Sequence, residues 1–162
     1  MSSELHFRPG VSGDTRAFRE LDVLCFPPGV AFSSGAFRYH LRDPFSVTVV
    51  AESSEVIVGF SIGAVYRNGE SNIVTVDVHP DFRRLGLGCE LLSRLESGLA
   101  DKGADIFFLQ VAVNNDAALA LYKNAGYEIS SLLPGYYQHA DPSFARDAYL
   151  MTKILKSVKE KV

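Results

Sequence analysis

Cysteine is scarce in this chain: Cys25 and Cys89 stand alone, without a CxxC spacing, and read as free thiols rather than as a disulfide or a metal pair. The four histidines, His6, His40, His79 and His139, form no paired ligand spacing either, so no metal is expected. There is no run of lysines or arginines, and the formal net charge is only -3. A nucleic-acid or membrane-surface role would therefore lack its usual electrostatic footprint. The opening "MSSELHFRPG" is not a basic segment followed by an apolar stretch, and the apolar run from Val47 to Val65 is interrupted by Glu52 and Glu55. No signal peptide or membrane span is expected, and the chain reads as cytoplasmic. Internal repeats, linkers and low-complexity segments are also missing.

The 162 residues are 47% hydrophobic and 22% charged, the balance of a globular domain long enough to bury one core. One domain over residues 1-162 is expected. A short strand over 4-8 ends at Pro9 and Gly10. Ala17, Phe18, Leu21, Leu24 and Cys25 then recur at helical intervals behind the capping "SGD", and "CFPPG" stops them. A second helix is expected from Ser33 or Ser34 to Leu41. Strands follow at 45-51, 56-66 and 71-78, the last two joined by "YRNGE", whose Asn-Gly pair is a hairpin signal. Leu87, Leu91, Leu92, Leu95 and Leu99 line one helix face. "IFFLQVAV" reads as a strand buried on both faces. Asn114 or Asn115 caps a helix whose apolar side is Ala118, Leu121, Tyr122 and Ala125, closed by Gly126. Strands over 127-133 and 145-155, separated by the loop "PGYYQHADPSF", complete an α/β domain around a mixed sheet.

"RRLGLG", residues 83-88, is the stretch that helix stability does not explain. Two glycines stand where the first turn of a helix is expected, each costing about 1 kcal/mol relative to alanine. A strand that runs through a glycine turn into a helix clusters main-chain N–H groups at the positive end of the helix dipole, which is an anion site and especially a phosphate site. Gly86 and Gly88 would let a phosphate approach those amides, and Arg83 and Arg84 would add charge. A plain tight turn is the alternative. The third glycine of a dinucleotide fingerprint and the Lys-Ser/Thr of a Walker loop are both missing.

"VDVHPDFRRLGLGCELL" resembles the acetyl-CoA-binding motif of the GCN5-related N-acetyltransferases (GNAT): Arg or Gln, two residues, Gly, any residue, then Gly or Ala. Arg83, Gly86 and Gly88 fill it. About 30 residues on, "NDAALALYKNAGYE" is similar to the second family signature through Asn115, Ala118, Leu121, Tyr122, Gly126 and Tyr127. With Phe26-Pro27, Tyr136-Tyr137 and "DAYLM" at 147-151, the similarity runs over most of the chain. It looks nearest to the ribosomal-protein alanine acetyltransferases and other protein N-terminal acetyltransferases.

The resemblance implies a single-domain GNAT fold, a mixed and mostly antiparallel sheet of about seven strands with about four helices, and acetyl-CoA as cofactor. It implies that Val76, Asp77 and Val78 meet the pantetheine arm through their main chain. The pyrophosphate would rest on the amides of Arg84, Leu85, Gly86, Leu87, Gly88 and Cys89, and Asn115 would bond the pantetheine unless it is only a helix cap. Tyr122 would stand beside the cofactor sulfur as the catalytic residue. Phe26, Pro27, Gln110, Tyr136 and Tyr137 would face the acceptor.

The general base departs from the family pattern. The alanine acetyltransferases carry a glutamate five residues before the motif asparagine; here that residue is Gln110, which takes no proton at neutral pH. A second family position falls on Asn72. A water positioned by either amide, Asp77 or Glu70 stay as candidates. An α-amine with pKa near 8 is neutral about a tenth of the time at pH 7, whereas a lysine near 10.4 gives up its proton at a cost of about 4.6 kcal/mol. A weak base therefore favours a peptide N-terminus. The other readings are a small-molecule amine or amino-acid acetyltransferase, and a non-catalytic acyl-CoA-binding regulatory domain. Composition and motifs leave the oligomeric state open.

Overall fold

The computed structural model describes residues 4-139 and 141-155. Seven strands form one sheet: β1 (Leu5–Pro9), β2 (Ser46–Ser53), β3 (Val56–Val65), β4 (Glu70–Val78), β5 (Ile106–Ala112), β6 (Glu128–Leu133) and β7 (Ala148–Ile154), in the order β1-β2-β3-β4-β5-β7-β6. Four α-helices accompany them: α1 (Thr15–Cys25), α2 (Ser34–Arg42), α3 (Leu87–Asp101) and α4 (Asp116–Asn124). The expected order of elements and the mixed, mostly antiparallel sheet are what is found. The last strand is shorter than the expected 145-155, because 141-147 stays in the loop that precedes it.

The Asn-Gly hairpin forms as expected: Asn68 takes the left-handed conformation (φ 64°) that turns β3 back into β4. One face of the sheet carries α1 and α2 over Phe18, Leu21, Phe37, Val50, Phe60 and Ile62, with the Phe18 and Phe60 rings stacked at 4.0 Å. The other face carries α3. Its five leucines, 87, 91, 92, 95 and 99, are at most 3% exposed, so the face read from their spacing is the buried one. Each contributes roughly 1.5–3 kcal/mol by burial. Gly59 in β3 lets this helix lie close, since a Cβ there would meet Leu91 at 2.9 Å and the carbonyl of Asp77 at 3.1 Å.

Two irregularities in β4 create the site. First, Ile62 faces Thr75 but Gly63 faces Ile73, so Val74 is an extra residue in β4. The bulge resets the alternation: Ile73 packs with the cluster under α3, whereas Thr75 and Asp77 turn toward α1. Second, β4 pairs with β5 only where Glu70, Ser71 and Asn72 face Ile106, Phe107 and Phe108. Beyond that point the two parallel strands part, and the facing edges of β4 and β5 have no strand between them.

Candidate functional site

A cavity of about 620 Å³ opens where β4 and β5 separate. Its floor is Ile73 to Val76 and Val78 from β4, with Gln110 to Ala112 from β5. Facing edges without a strand partner leave main-chain N–H and C=O groups available to an extended ligand, as a missing strand would be.

At one end lies the loop between β4 and α3. Arg83, Arg84, Gly86, Leu87, Gly88 and Cys89 all line the cavity; Leu85 does not and is 73% exposed. The helix begins at Leu87, so Gly86 is its N-cap and only Gly88 lies in the first turn, which corrects the expectation that both glycines do. Gly86 has φ 80°, a left-handed angle that L residues avoid, and open space surrounds the position of its absent Cβ. Arg84 is left-handed too, at φ 65°. The turn thus aims the first amides of α3 outward, where they and the helix dipole favour an anion. Arg83 lines the cavity and also braces the loop. Its Nε donates to the carbonyl of Val78 at 3.1 Å and its Nη2 to Cys25 Sγ at 3.5 Å, which fastens the loop to the end of β4. Cys25 in turn donates to Val78 at 3.6 Å, and burial, then the nearby Asp77, pushes its thiol up to about 11. A thiol held so far above neutrality is a packing group rather than a nucleophile.

The middle of the cavity is bounded by α4. Asn115 is the N-cap, its side-chain oxygen accepting from the amide of Ala118 at 3.3 Å, and it lines the cavity with Ala118, Leu121 and Tyr122. The cap uses the oxygen and leaves the Nδ2 donor as the group able to reach a ligand. Tyr122 is buried, its ring edge-on to Tyr127 at 5.8 Å. Burial raises its phenol well above the ordinary range, and the Asp77 and Tyr137 side chains raise it further. It is a permanent donor at any physiological pH.

A third part of the lining is an aromatic wall. Phe26 meets Phe144 edge-on at 6.3 Å, Phe144 meets Tyr137 at 5.2 Å, and Tyr137 meets Tyr136 at 4.9 Å. These four line the cavity together with Val30 and Phe32; Pro27 does not reach it. Gln110 faces the cavity from β5, and the hydroxyl of Tyr137 approaches its carbonyl at 3.5 Å.

The three remaining candidates for a base, Glu70, Asn72 and Asp77, stand apart from the cavity. Glu70 is exposed at the start of β4 and Asn72 lies outside the cavity. Asp77 is fully buried, its carboxyl pushed well above the usual range by that burial and by the carboxyl of Asp22 against it. Its side chain is turned toward α1 with Thr75 and Asp22 and does not line the cavity, so it does not reach an amine there. Asp22 itself was missed in the sequence, although it sits at the i+4 position from Phe18 on the apolar stripe of α1. Phe144, Val30 and Phe32 were missed because they lie in loops without periodicity.

The cavity brings together the helix-start amides of α3, the unpaired edge of β4 and the buried phenol of Tyr122. Residues 15–127 match the sequence model of the Acetyltransferase (GNAT) family. N-alpha-acetyltransferase RimI of Mycobacterium tuberculosis is 30% identical over 145 residues, 86% of this chain and 86% of that protein. An uncharacterized Mycobacterium leprae protein is 32% identical over 139 residues; the match spans 83% of this chain but only 36% of that protein. The fold is shared with the ribosomal-protein-S18-alanine N-acetyltransferase of Escherichia coli, with a TM-score of 0.81 and 23% identity over 94% of each chain. It is shared also with Arabidopsis thaliana Naa50 in complex with the bisubstrate analogue CoA-Ac-MVNAL, with a TM-score of 0.77, 23% identity, and 92% and 97% of the two chains covered. No helix among the described residues is long and apolar enough to cross a membrane. With two thirds of its length matching the family's sequence model and its sheet split at the bulged strand β4, the chain belongs to the GNAT acetyltransferase family.

Proposed function

We propose that this chain is an acetyl-CoA-dependent N-acetyltransferase whose acceptor is the α-amine of a protein or peptide N-terminus. The observation that carries the reading is the continuity of one cavity, from the amides of α3 past Tyr122 to the aromatic wall of Phe26, Tyr136, Tyr137 and Phe144. A peptide end needs an open approach lined by rings, and Tyr136 is half exposed at that mouth. The names of the relatives support it: RimI is an N-alpha-acetyltransferase, the Escherichia coli enzyme acts on an alanine of ribosomal protein S18, and the Naa50 complex holds a bisubstrate analogue that joins CoA to a peptide. A cytoplasmic acceptor goes with this reading.

Acetyl-CoA, when bound, supplies the thioester carbonyl that the amine attacks. The first amides of α3, led in by the left-handed Gly86, would hold its diphosphate, and the open edge of β4 at Val76 to Val78 would hold the arm. The acceptor α-amine sheds its proton to water, at a cost of about 1.4 kcal/mol at pH 7. Gln110 accepts no proton, but its amide can orient that water. Tyr122 would donate a hydrogen bond to the thioester sulfur, the atom that must carry negative charge when it leaves. Because the phenol is held well above a thiol's pKa, it would stabilise that charge without surrendering its proton, and the proton that the attacking nitrogen releases on becoming an amide would pass through solvent to complete the thiol.

A thiol-release assay against panels of N-terminal peptides, lysine side chains and small amines tests the reading. Turnover with peptides carrying a free α-amine supports it. Turnover confined to small amines, or binding without turnover, replaces it with the corresponding alternative.

A further inference from the structure

Asp22 on α1 and Asp77 on β4 are both fully buried, and their carboxyls lie against each other, with Asp22 Oδ1 and Asp77 Oδ2 left without a hydrogen-bond partner. Two ionised carboxylates in such contact would repel with little water to screen them. Asp22 Oδ1 and Asp77 Oδ2 each lack any other donor, and a single proton between the carboxyls satisfies both. Every other oxygen is taken: Thr75 donates its hydroxyl to Asp77 Oδ1, and the amide of Phe32 donates to Asp22 Oδ2 at 2.6 Å.

The nearby arginines, Arg19 and Arg83, pull the carboxyls toward ionisation but bond to neither of them. Arg19, one turn before Asp22, spends its Nη1 on the carbonyl of Phe32 at 2.9 Å, and Arg83 spends its donors on Val78 and Cys25. Cys25 on α1 and Tyr122 on α4 also face the pair, both in neutral form. One proton held between the two carboxyls makes one of them the acid and the other the carboxylate that accepts it. A continuous chain of hydrogen bonds thus runs from Thr75 and Asp77 through Asp22 to Phe32, whose carbonyl Arg19 clamps from the other side.

We propose that this acid-to-carboxylate bridge is a positioning device for the acceptor, fastening the segment 26-32, with Phe26, Val30 and Phe32 in the cavity wall, to the strand that borders the cofactor arm. It rests on the reading of that wall as the acceptor's. Splitting the bridge frees the wall from β4 and loosens the acceptor while the diphosphate cradle on α3 stays intact.

The test combines a titration and a rescue. In protein labelled with 13C at the aspartate carboxyls, one of the pair stays protonated at pH 7, and the Phe32 amide shifts with the same midpoint when it finally ionises. Asp77→Ala raises the acceptor KM about tenfold, as expected for a lost buried hydrogen bond to a charged group, with the acetyl-CoA KM changed less than about threefold. Asp77→Asn, which can donate to Asp22 and accept from Thr75, restores the acceptor KM to within about twofold. The ratio of wild-type to Asp77→Asn acceptor KM cancels the titration of the amine itself and rises with pH as the bridge ionises. Two carboxylates ionised at pH 7, or equal acceptor KM values for the Ala and Asn variants, overturn the proposal. Should Asp77→Ala fail to fold, the titration and the Asn ratio still decide it. Failure of every peptide acceptor would overturn the acceptor reading alone, because the carboxyl and Phe32 signals are read without any acceptor.

Discussion

Arg83 donates through Nε to the main-chain carbonyl of Val78 at 3.1 Å, tying the loop before α3 to the last residue of β4. The residue that the family motif marks as a phosphate neighbour therefore shapes the cradle as well as charging it. Arg83→Ala is expected to weaken CoA binding about fivefold, the equivalent of about 1 kcal/mol for one hydrogen bond. Calorimetric titration checks this, and an unchanged Kd would remove Arg83 from the cradle.

Gly86 is needed for its backbone angle, and its neighbours leave space for a side chain. Gly86→Ala is expected to lose about 1–2 kcal/mol of stability to the left-handed conformation, and Gly86→Asn less, since Asn tolerates it better. Both should bind CoA more weakly, because the added Cβ stands where the phosphates approach. Thermal unfolding and calorimetry on the pair separate the two effects. Wild-type affinity in the Asn variant would mean that only the angle matters.

Tyr122→Phe removes the donor and keeps the ring against Tyr127. The expected result is a fall in kcat of about 10²-fold with acetyl-CoA affinity within about twofold, as for other donors to a developing anion. Equal turnover would take Tyr122 out of the mechanism.

Gln110 makes the pH profile diagnostic. With no side-chain base, log kcat/KM for a peptide should climb with unit slope to a plateau near the acceptor's own pKa of about 8. Tyr122 works in its protonated form, and its pKa is raised, so activity on its account is lost only as pH rises past that elevated value. No alkaline fall from this group is expected below about pH 10. Gln110→Glu should move the acid limb to lower pH. A wild-type acid limb that stays put when the acceptor pKa is changed would reveal a base on the enzyme.

Much of this was legible in the chain. The leucine spacing of 87-99 fixed a face that is buried as expected, and Asn68-Gly69 placed the β3-β4 hairpin, because both signals are local. The motif residues Gly86, Gly88, Asn115 and Tyr122 do converge on one cavity. What stayed hidden was non-local. The bulge at Val74 and the parting of β4 from β5 depend on register with neighbouring strands. Asp22 and Asp77 are 55 positions apart, and only the fold turns two ordinary acids into one proton-sharing pair. Arg83 could not be seen to turn back on Val78, since a motif gives a residue's place and not its rotamer.

The central claim is that the amides opening α3, together with the free edge of β4, hold an acyl-CoA. Amide-resolved NMR titration with CoA tests it most directly. The expected result is saturable binding with the largest shifts at the amides of 84-89 and 74-78. Saturable binding that leaves those amides unmoved, or no binding at all, would contradict it.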